Sequence, residues 1–190
     1  MAPIKVIIIG AGNRGTVYAS YAANFPQQMQ VVGVAEPRVD FRLRMAQAHS
    51  IPAENVVEDW RELAGRPRLA DAAIIATPDQ LHTGPALALA EKGYNILLEK
   101  PMAVSEADCR QIAAAASRQK IIFGVAHVMR YTRYTRKLKE VVDSGAIGEL
   151  VSLQHLEPVG YWHQAHSYVR GNWRNTGSST FMLLAKSCHD

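Results

Sequence analysis

A chain of 190 residues, 48% hydrophobic and 20% charged, carries enough apolar mass for one full core and the start of a second, which excludes a disordered or low-complexity protein. No apolar run approaches the roughly 20 residues of a membrane span, and a net charge of +4 suits an anionic ligand while being too mild to indicate nucleic acid. Cys109 and Cys188 have neither metal-ligand nor disulfide spacing, and the run from Val6 to Ile9 is too short for a signal peptide, so the expected compartment is the cytoplasm.

In chain order, Val6-Ile7-Ile8-Ile9 is an unbroken aliphatic run that reads as a strand covered on both faces, as in a parallel sheet. It empties into Gly10-Ala11-Gly12-Asn13-Arg14-Gly15, with glycines at the spacing G-x-G-x-x-G, and Thr16 to Asn24 reads as the helix that follows. This spacing has a mechanical cause. The first glycine allows the tight turn, the second removes the side chain that would hold a pyrophosphate off the backbone, and the third lets the helix lie close to the sheet. The helix start then offers free N–H groups and a positive dipole to phosphates. A second apolar run, Val31 to Ala35, ends in Glu36, about 20 residues past the last glycine, where a dinucleotide site needs a carboxylate for a ribose hydroxyl pair.

Val39 to His49 has a helical apolar pattern, ended by Ser50-Ile51-Pro52, and Trp60 and Leu63 sit on a short helical turn closed by Gly65 and Pro67. Ala72 to Ala76 reads as a buried strand stopping at Thr77-Pro78. Thr83 is expected to cap a helix that tolerates Pro85 in its first turn and ends at Gly93. Tyr94 to Leu98 is a strand running into Glu99-Lys100-Pro101. Ser105 and Asp108 mark the start of a capped helix reaching Lys120, and Ile121 to Ala126 is a further strand. Strands alternating with helices, without a hairpin signal, predict an α/β fold with a doubly wound parallel sheet over residues 1–127. Past that point Arg130 to Ser144 reads as a basic helix, Gly145-Ala146-Ile147-Gly148 as a turn and Leu150 to Glu157 as one alternating strand. A single strand forms no stable sheet, so residues 128–190 are expected to be an incomplete second α+β domain.

The glycine turn, Ala76-Thr77-Pro78 followed by His82, the Glu99-Lys100-Pro101 tripeptide and Gly145-x-Ile147-Gly148 together resemble the glucose-fructose oxidoreductase/inositol dehydrogenase/rhizopine catabolism (Gfo/Idh/MocA) family. The resemblance implies a Rossmann domain followed by a domain built on a large open sheet. It also implies NAD(H) or NADP(H) as cofactor, a sugar, polyol or related hydroxyl or carbonyl compound as substrate, and a homo-oligomer for a complete chain. It implies that Thr77, Pro78 and His82 line the dinucleotide beside Gly10, Gly12, Asn13, Arg14 and Gly15, that Glu99 contacts the nicotinamide ribose, and that Lys100 reaches the substrate oxygen. A lysine ammonium there can hold a developing alkoxide while hydride moves. The family's histidine proton acceptor is matched by His189, but the aspartate that precedes it by four residues in many members is replaced by Ala185, with Lys186 three before it. The same resemblance makes Trp162, His163, Trp173 and Arg174 substrate contacts.

Glu36 accepts from ribose hydroxyls and favours NAD, while Arg38 can offset its charge and admit the 2′-phosphate of NADP. His155, His163 and His166 lack an acid or cysteine at ligand spacing, so no metal is expected. The basic run Arg130, Arg133, Arg136, Lys137, Lys139 reads as a solvated helix face rather than an RNA surface. Two other readings stay open beside the oxidoreductase: a dinucleotide-binding module without turnover, and a glycosidase that keeps NAD bound and uses transient oxidation.

Overall fold

The computed structural model describes residues 2–156, 158–171 and 173–174, and the chain divides into two compact units, Met1–Ala126 and His127–Asp190. In the first unit the aliphatic run becomes β1 (Ile4–Ile9), followed by α1 (Asn13–Asn24), β2 (Met29–Ala35) and α2 (Val39–His49). Then come β3 (Val56–Val57), α3 (Trp60–Ala64), β4 (Ala72–Ile75), α4 (Thr83–Glu91), β5 (Asn95–Leu98), α5 (Glu106–Gln119) and β6 (Phe123–Val125). The six strands are all parallel in the order β3-β2-β1-β4-β5-β6, so the chain winds outward from β1 in both directions. This is the α/β, doubly wound sheet the sequence predicts.

The alternation of side chains along β1 explains why its last four residues, Val6 to Ile9, are apolar without a break. Val6 and Ile8 point into a core closed by Ala19 and Ala22 of α1 and Met45 of α2. Ile7 and Ile9 point the other way, into a core closed by Leu63, Leu89 and Ile112 from α3, α4 and α5. With helices on both faces, Val6 to Ile9 are at most 3% exposed, and each buried isoleucine contributes about 1.5–3 kcal/mol. Local signals set the helix starts. Ser105 accepts from the Asp108 amide at 3.1 Å to cap α5, and Asp59 and Glu62 form a reciprocal capping box on α3.

In the second unit, a 3₁₀ turn at Val128–Tyr131 precedes α6 (Arg133–Asp143), capped by Thr132, whose hydroxyl accepts from the Thr135 amide at 3.2 Å. Gly145 and Gly148 both take positive φ in the expected turn. Tyr161–His163 is a helical turn that widens into a π-helical stretch, Gln164–Val169.

Several local expectations are corrected. Thr83 does not cap α4: the preceding residue already has helical angles, φ −73 and ψ −44, after the 3₁₀ turn Asp79–Leu81, so Thr83 is inside the helix. Residues 150–156 form no strand, with Val151 95% exposed, because no neighbouring strand among the described residues offers a ladder. The basic helix starts at Arg133 rather than Arg130, since Thr132 is extended and interrupts it. Residues 175–190 lie outside the described residues.

Candidate functional site

Parallel strands bring Gly10, Glu36, Thr77 and Glu99, the residues that follow β1, β2, β4 and β5, to one edge of the sheet. The three glycines of the first turn are there for different reasons. Gly10 has φ +91, and a Cβ on it would meet the Ala76 carbonyl oxygen at 2.7 Å. A Cβ on Gly15 would lie 2.0 Å from the Gly10 oxygen. The protein's own backbone therefore forbids side chains at both. Gly12 is different: its φ of −70 suits any residue, and an added Cβ would meet only the end of the flexible Arg38 side chain at 3.3 Å. Nothing in the fold demands glycine there, which leaves the demand to a ligand pressed against the main chain. The helix behind it starts without a side-chain cap and without an acid in its first turn, so the amides of Asn13, Arg14 and Gly15 have no intrahelical acceptor.

Glu36 is 2% exposed, with its Oε2 accepting from the Ala11 amide at 2.8 Å. The Arg38 guanidinium donates to both carboxylate oxygens, at 2.7 and 3.0 Å, and the Arg38 amide adds a third bond at 3.1 Å. Burial by itself would raise the Glu36 pKa, but the bonds from Arg38 and Ala11 outweigh it and hold the carboxyl below its ordinary value. Arg38 stacks on Phe41 with its guanidinium carbon 3.9 Å from the ring centre. The carboxylate thus belongs to the glycine turn as much as to β2.

At the other end of the edge, Glu99 is 8% exposed and receives the Tyr18 hydroxyl at 2.6 Å and the Lys100 amide at 2.7 Å, with Arg14 Nε at 3.6 Å. Burial, then the bond to Glu99, raises the Tyr18 pKa, so the phenol stays a donor. Tyr18 is a residue the sequence reading missed; its spacing of four from Arg14 on α1 puts the two on one face but does not reveal the partner after β5. Lys100 is half-buried, and its ammonium makes no hydrogen bond or ion pair with the described residues. The Lys100-Pro101 peptide is cis. Thr77 has a buried hydroxyl without a partner among the described residues, and Pro78 is exposed beside it. His82 is wholly enclosed, its ring nitrogens against the Thr77 and Pro101 carbonyls, so it reaches the groove only through the loops it touches.

In the second unit Trp162 is 71% exposed and stacks on His166 with centroids 3.8 Å apart, His163 Nδ1 lies 3.1 Å from the Ser167 hydroxyl, and Trp173 packs beside Tyr168. Arg174 is exposed. His189, Lys186 and Ala185 lie outside the described residues. Among the described residues no group of three His, Cys, Asp or Glu side chains is placed to hold a metal ion, and no helix is long and apolar enough to cross a membrane.

The glycine cradle, the uncapped helix start and the buried carboxylate one strand away fit a dinucleotide, and comparison with known proteins agrees. A family model described as an oxidoreductase family with an NAD-binding Rossmann fold matches residues 4–127. The chain is 28% identical to the rhizopine catabolism protein MocA of Rhizobium meliloti over 96% of its own length and 54% of that protein's. Over 81 residues, 43% of the chain and 22% of the relative, it is 36% identical to the 2,7-anhydro-N-acetylneuraminate hydratase of Mediterraneibacter gnavus. A solved levoglucosan dehydrogenase in complex with NADH and levoglucosan is 29% identical, with a TM-score of 0.68 over 77% of the chain and 41% of that protein. The chain spans about half the length, or less, of the relatives it matches.

Proposed function

The chain belongs to the Gfo/Idh/MocA oxidoreductase family, and from that premise we propose that the protein is an NAD(P)-dependent oxidoreductase moving a hydride between the nicotinamide and a carbinol or carbonyl carbon of a sugar, polyol or related compound. The observation that carries this reading is Gly12, a glycine required neither by its own φ nor by its neighbours, at the mouth of an uncapped helix. Beside it stand two buried carboxylates at the ends of strands on either side of β1. The levoglucosan dehydrogenase relative, solved with NADH and its sugar, supports the substrate class.

The amides of Asn13 to Gly15 take the pyrophosphate, and Glu36 takes the adenosine ribose hydroxyls. Arg38 moves off the carboxylate to make room, a displacement helped by its exposure. NAD is the preferred coenzyme because the Glu36 charge opposes a 2′-phosphate, and Arg38 is what would let NADP in. Glu99, oriented by Tyr18, faces the nicotinamide ribose; Thr77 and Pro78 line the coenzyme between the two ends. When bound, the nicotinamide supplies the carbon that accepts or returns hydride.

Lys100, with an ammonium uncommitted to any described residue, holds the substrate oxygen as charge develops on it. His189 takes the hydroxyl proton when substrate is oxidised and gives it back in reduction. Trp162, His163, Trp173 and Arg174 contact the sugar. With alanine at position 185, the relay through an aspartate four residues before His189 is not open to this chain. The test is to follow nicotinamide absorbance over a panel of sugars and polyols. Turnover that disappears in Lys100→Ala supports the reading, and coenzyme binding without turnover on any member favours a binding module.

A second reading has a specific observation in its favour, the hydratase among the relatives. In that reading the chain is a glycosidase-like enzyme that keeps NAD bound, the hydride is lent and returned, and the substrate changes without net NADH. Conversion of a glycoside or anhydro sugar at constant absorbance would select it.

A further inference from the structure

Both ring nitrogens of the fully enclosed His82 face carbonyl oxygens: Nδ1 is 2.8 Å from that of Pro101 and Nε2 is 2.9 Å from that of Thr77. A neutral imidazole has one N–H and one lone pair, so it would satisfy one carbonyl and turn a lone pair toward the other. Rotating the ring by half a turn does not help. It would set ring carbons at these positions, well inside the separation of about 3.3–3.6 Å that a C–H···O contact requires. Only the doubly protonated ring donates to both oxygens.

We propose that His82 is held as an imidazolium and serves as a positioning residue, tying the Thr77-Pro78 segment after β4 to the Lys100-Pro101 segment after β5. The protonation is inferred from the two carbonyls, which have to outweigh the cost of enclosing a cation, whereas the positioning role rests on the function proposed above, which gives Thr77 and Pro78 to the coenzyme and Lys100 to the substrate oxygen. The two strands are already neighbours, and the Glu99 amide donates to the Ile75 carbonyl at 2.8 Å where they end. His82 adds a second tie farther out, one residue beyond Lys100 on one side and at the coenzyme turn on the other. The start of α4 is an unfavourable place for a cation, since the helix dipole is positive there, so the two carbonyls have to hold the charge. The other charged groups of the segments it joins are Asp79, Glu99 and Lys100.

The ring protons can be read directly. In protein labelled with ¹⁵N-histidine, long-range proton–nitrogen correlation at about pH 7.5, where an ordinary histidine is mostly neutral, reports whether each ring nitrogen carries hydrogen. The His82 signals are assigned through their own Cβ, and their absence from His82→Asn checks the assignment. The expected result is two N–H groups on His82, protected from solvent. One bare nitrogen overturns the proposal, whether or not the variant folds. Amide hydrogen exchange reads the tie: His82→Asn should speed exchange of Thr77 and of Lys100 together, by about tenfold. Loosening of one segment alone, or of neither, overturns the positioning role. A protein that shows two N–H groups but takes up no NADH would leave the protonation standing and remove the function on which the role depends.

Discussion

Two buried carboxylates stand at the same edge of the sheet, and they are held in opposite ways. Glu36, after β2, is neutralised by Arg38, two residues along and more than half exposed, a partner that a ligand can push aside. Glu99, after β5, also has an exposed arginine nearby, Arg14 at 3.6 Å, but its hydrogen bonds come from groups that do not leave easily: a phenol from α1 and the next backbone amide. The contrast suggests a division of labour. Under the proposed function the Glu36 end would exchange an internal cation for ribose hydroxyls and so tune affinity and coenzyme choice, while the Glu99 end would be set in place before any ligand arrives and present Lys100 uncommitted.

The largest expected effect is at the Glu99 end. Lys100→Ala should lower turnover by about 10³-fold while NADH affinity changes only a few-fold, read by steady-state rates against a fluorescence titration. A parallel loss of affinity would break the distinction between the two ends. At the other end Glu36→Ala should weaken NAD by about tenfold and NADP by less, because the ribose hydroxyls lose an acceptor while the 2′-phosphate loses a repulsive neighbour. Equal losses for both coenzymes would discredit the ribose assignment.

Smaller still, Tyr18→Phe should cost about 1–2 kcal/mol of stability in denaturant titration and raise the coenzyme KM more than it lowers kcat, since Glu99 loses its orientation but not its charge. The smallest effect is in pH. Because the Glu36 pKa is lowered in the folded protein, its contribution is present above the ordinary glutamate range and is lost as pH falls through the folded value. Melting temperature should therefore fall more steeply on acidification in the wild type than in Glu36→Gln.

Much of this was legible in the sequence because it is local. The run from Val6 to Ile9 showed a strand buried on both faces, and the glycine spacing showed the turn, since each rests on a few consecutive residues. The two-residue β3 was not legible, being too short to carry a period, nor was the failure of residues 150–156 to form a strand, which depends on whether another strand lies alongside. Thr83 looked like a cap because its chemistry is right, but the chain had turned helical one residue earlier. Tyr18 escaped notice for a different reason. Its partner is 81 residues away, and only the sheet order brings α1 beside the end of β5. The enclosure of His82 was hidden likewise, since it depends on Pro101 closing over a ring that sequence places only near Thr77.

The central claim is that a dinucleotide lies against bare main chain at Gly12, and Gly12→Ala tests it most directly, because only the end of the flexible Arg38 side chain, 3.3 Å from that methyl group, has to give way to it. In paired NADH titrations and thermal melts, the variant should keep the wild-type melting temperature and lose about 10²-fold in NADH affinity, the added Cβ holding the phosphates off the amides. NADH affinity unchanged in Gly12→Ala, or no NADH binding by the wild type, would contradict the account.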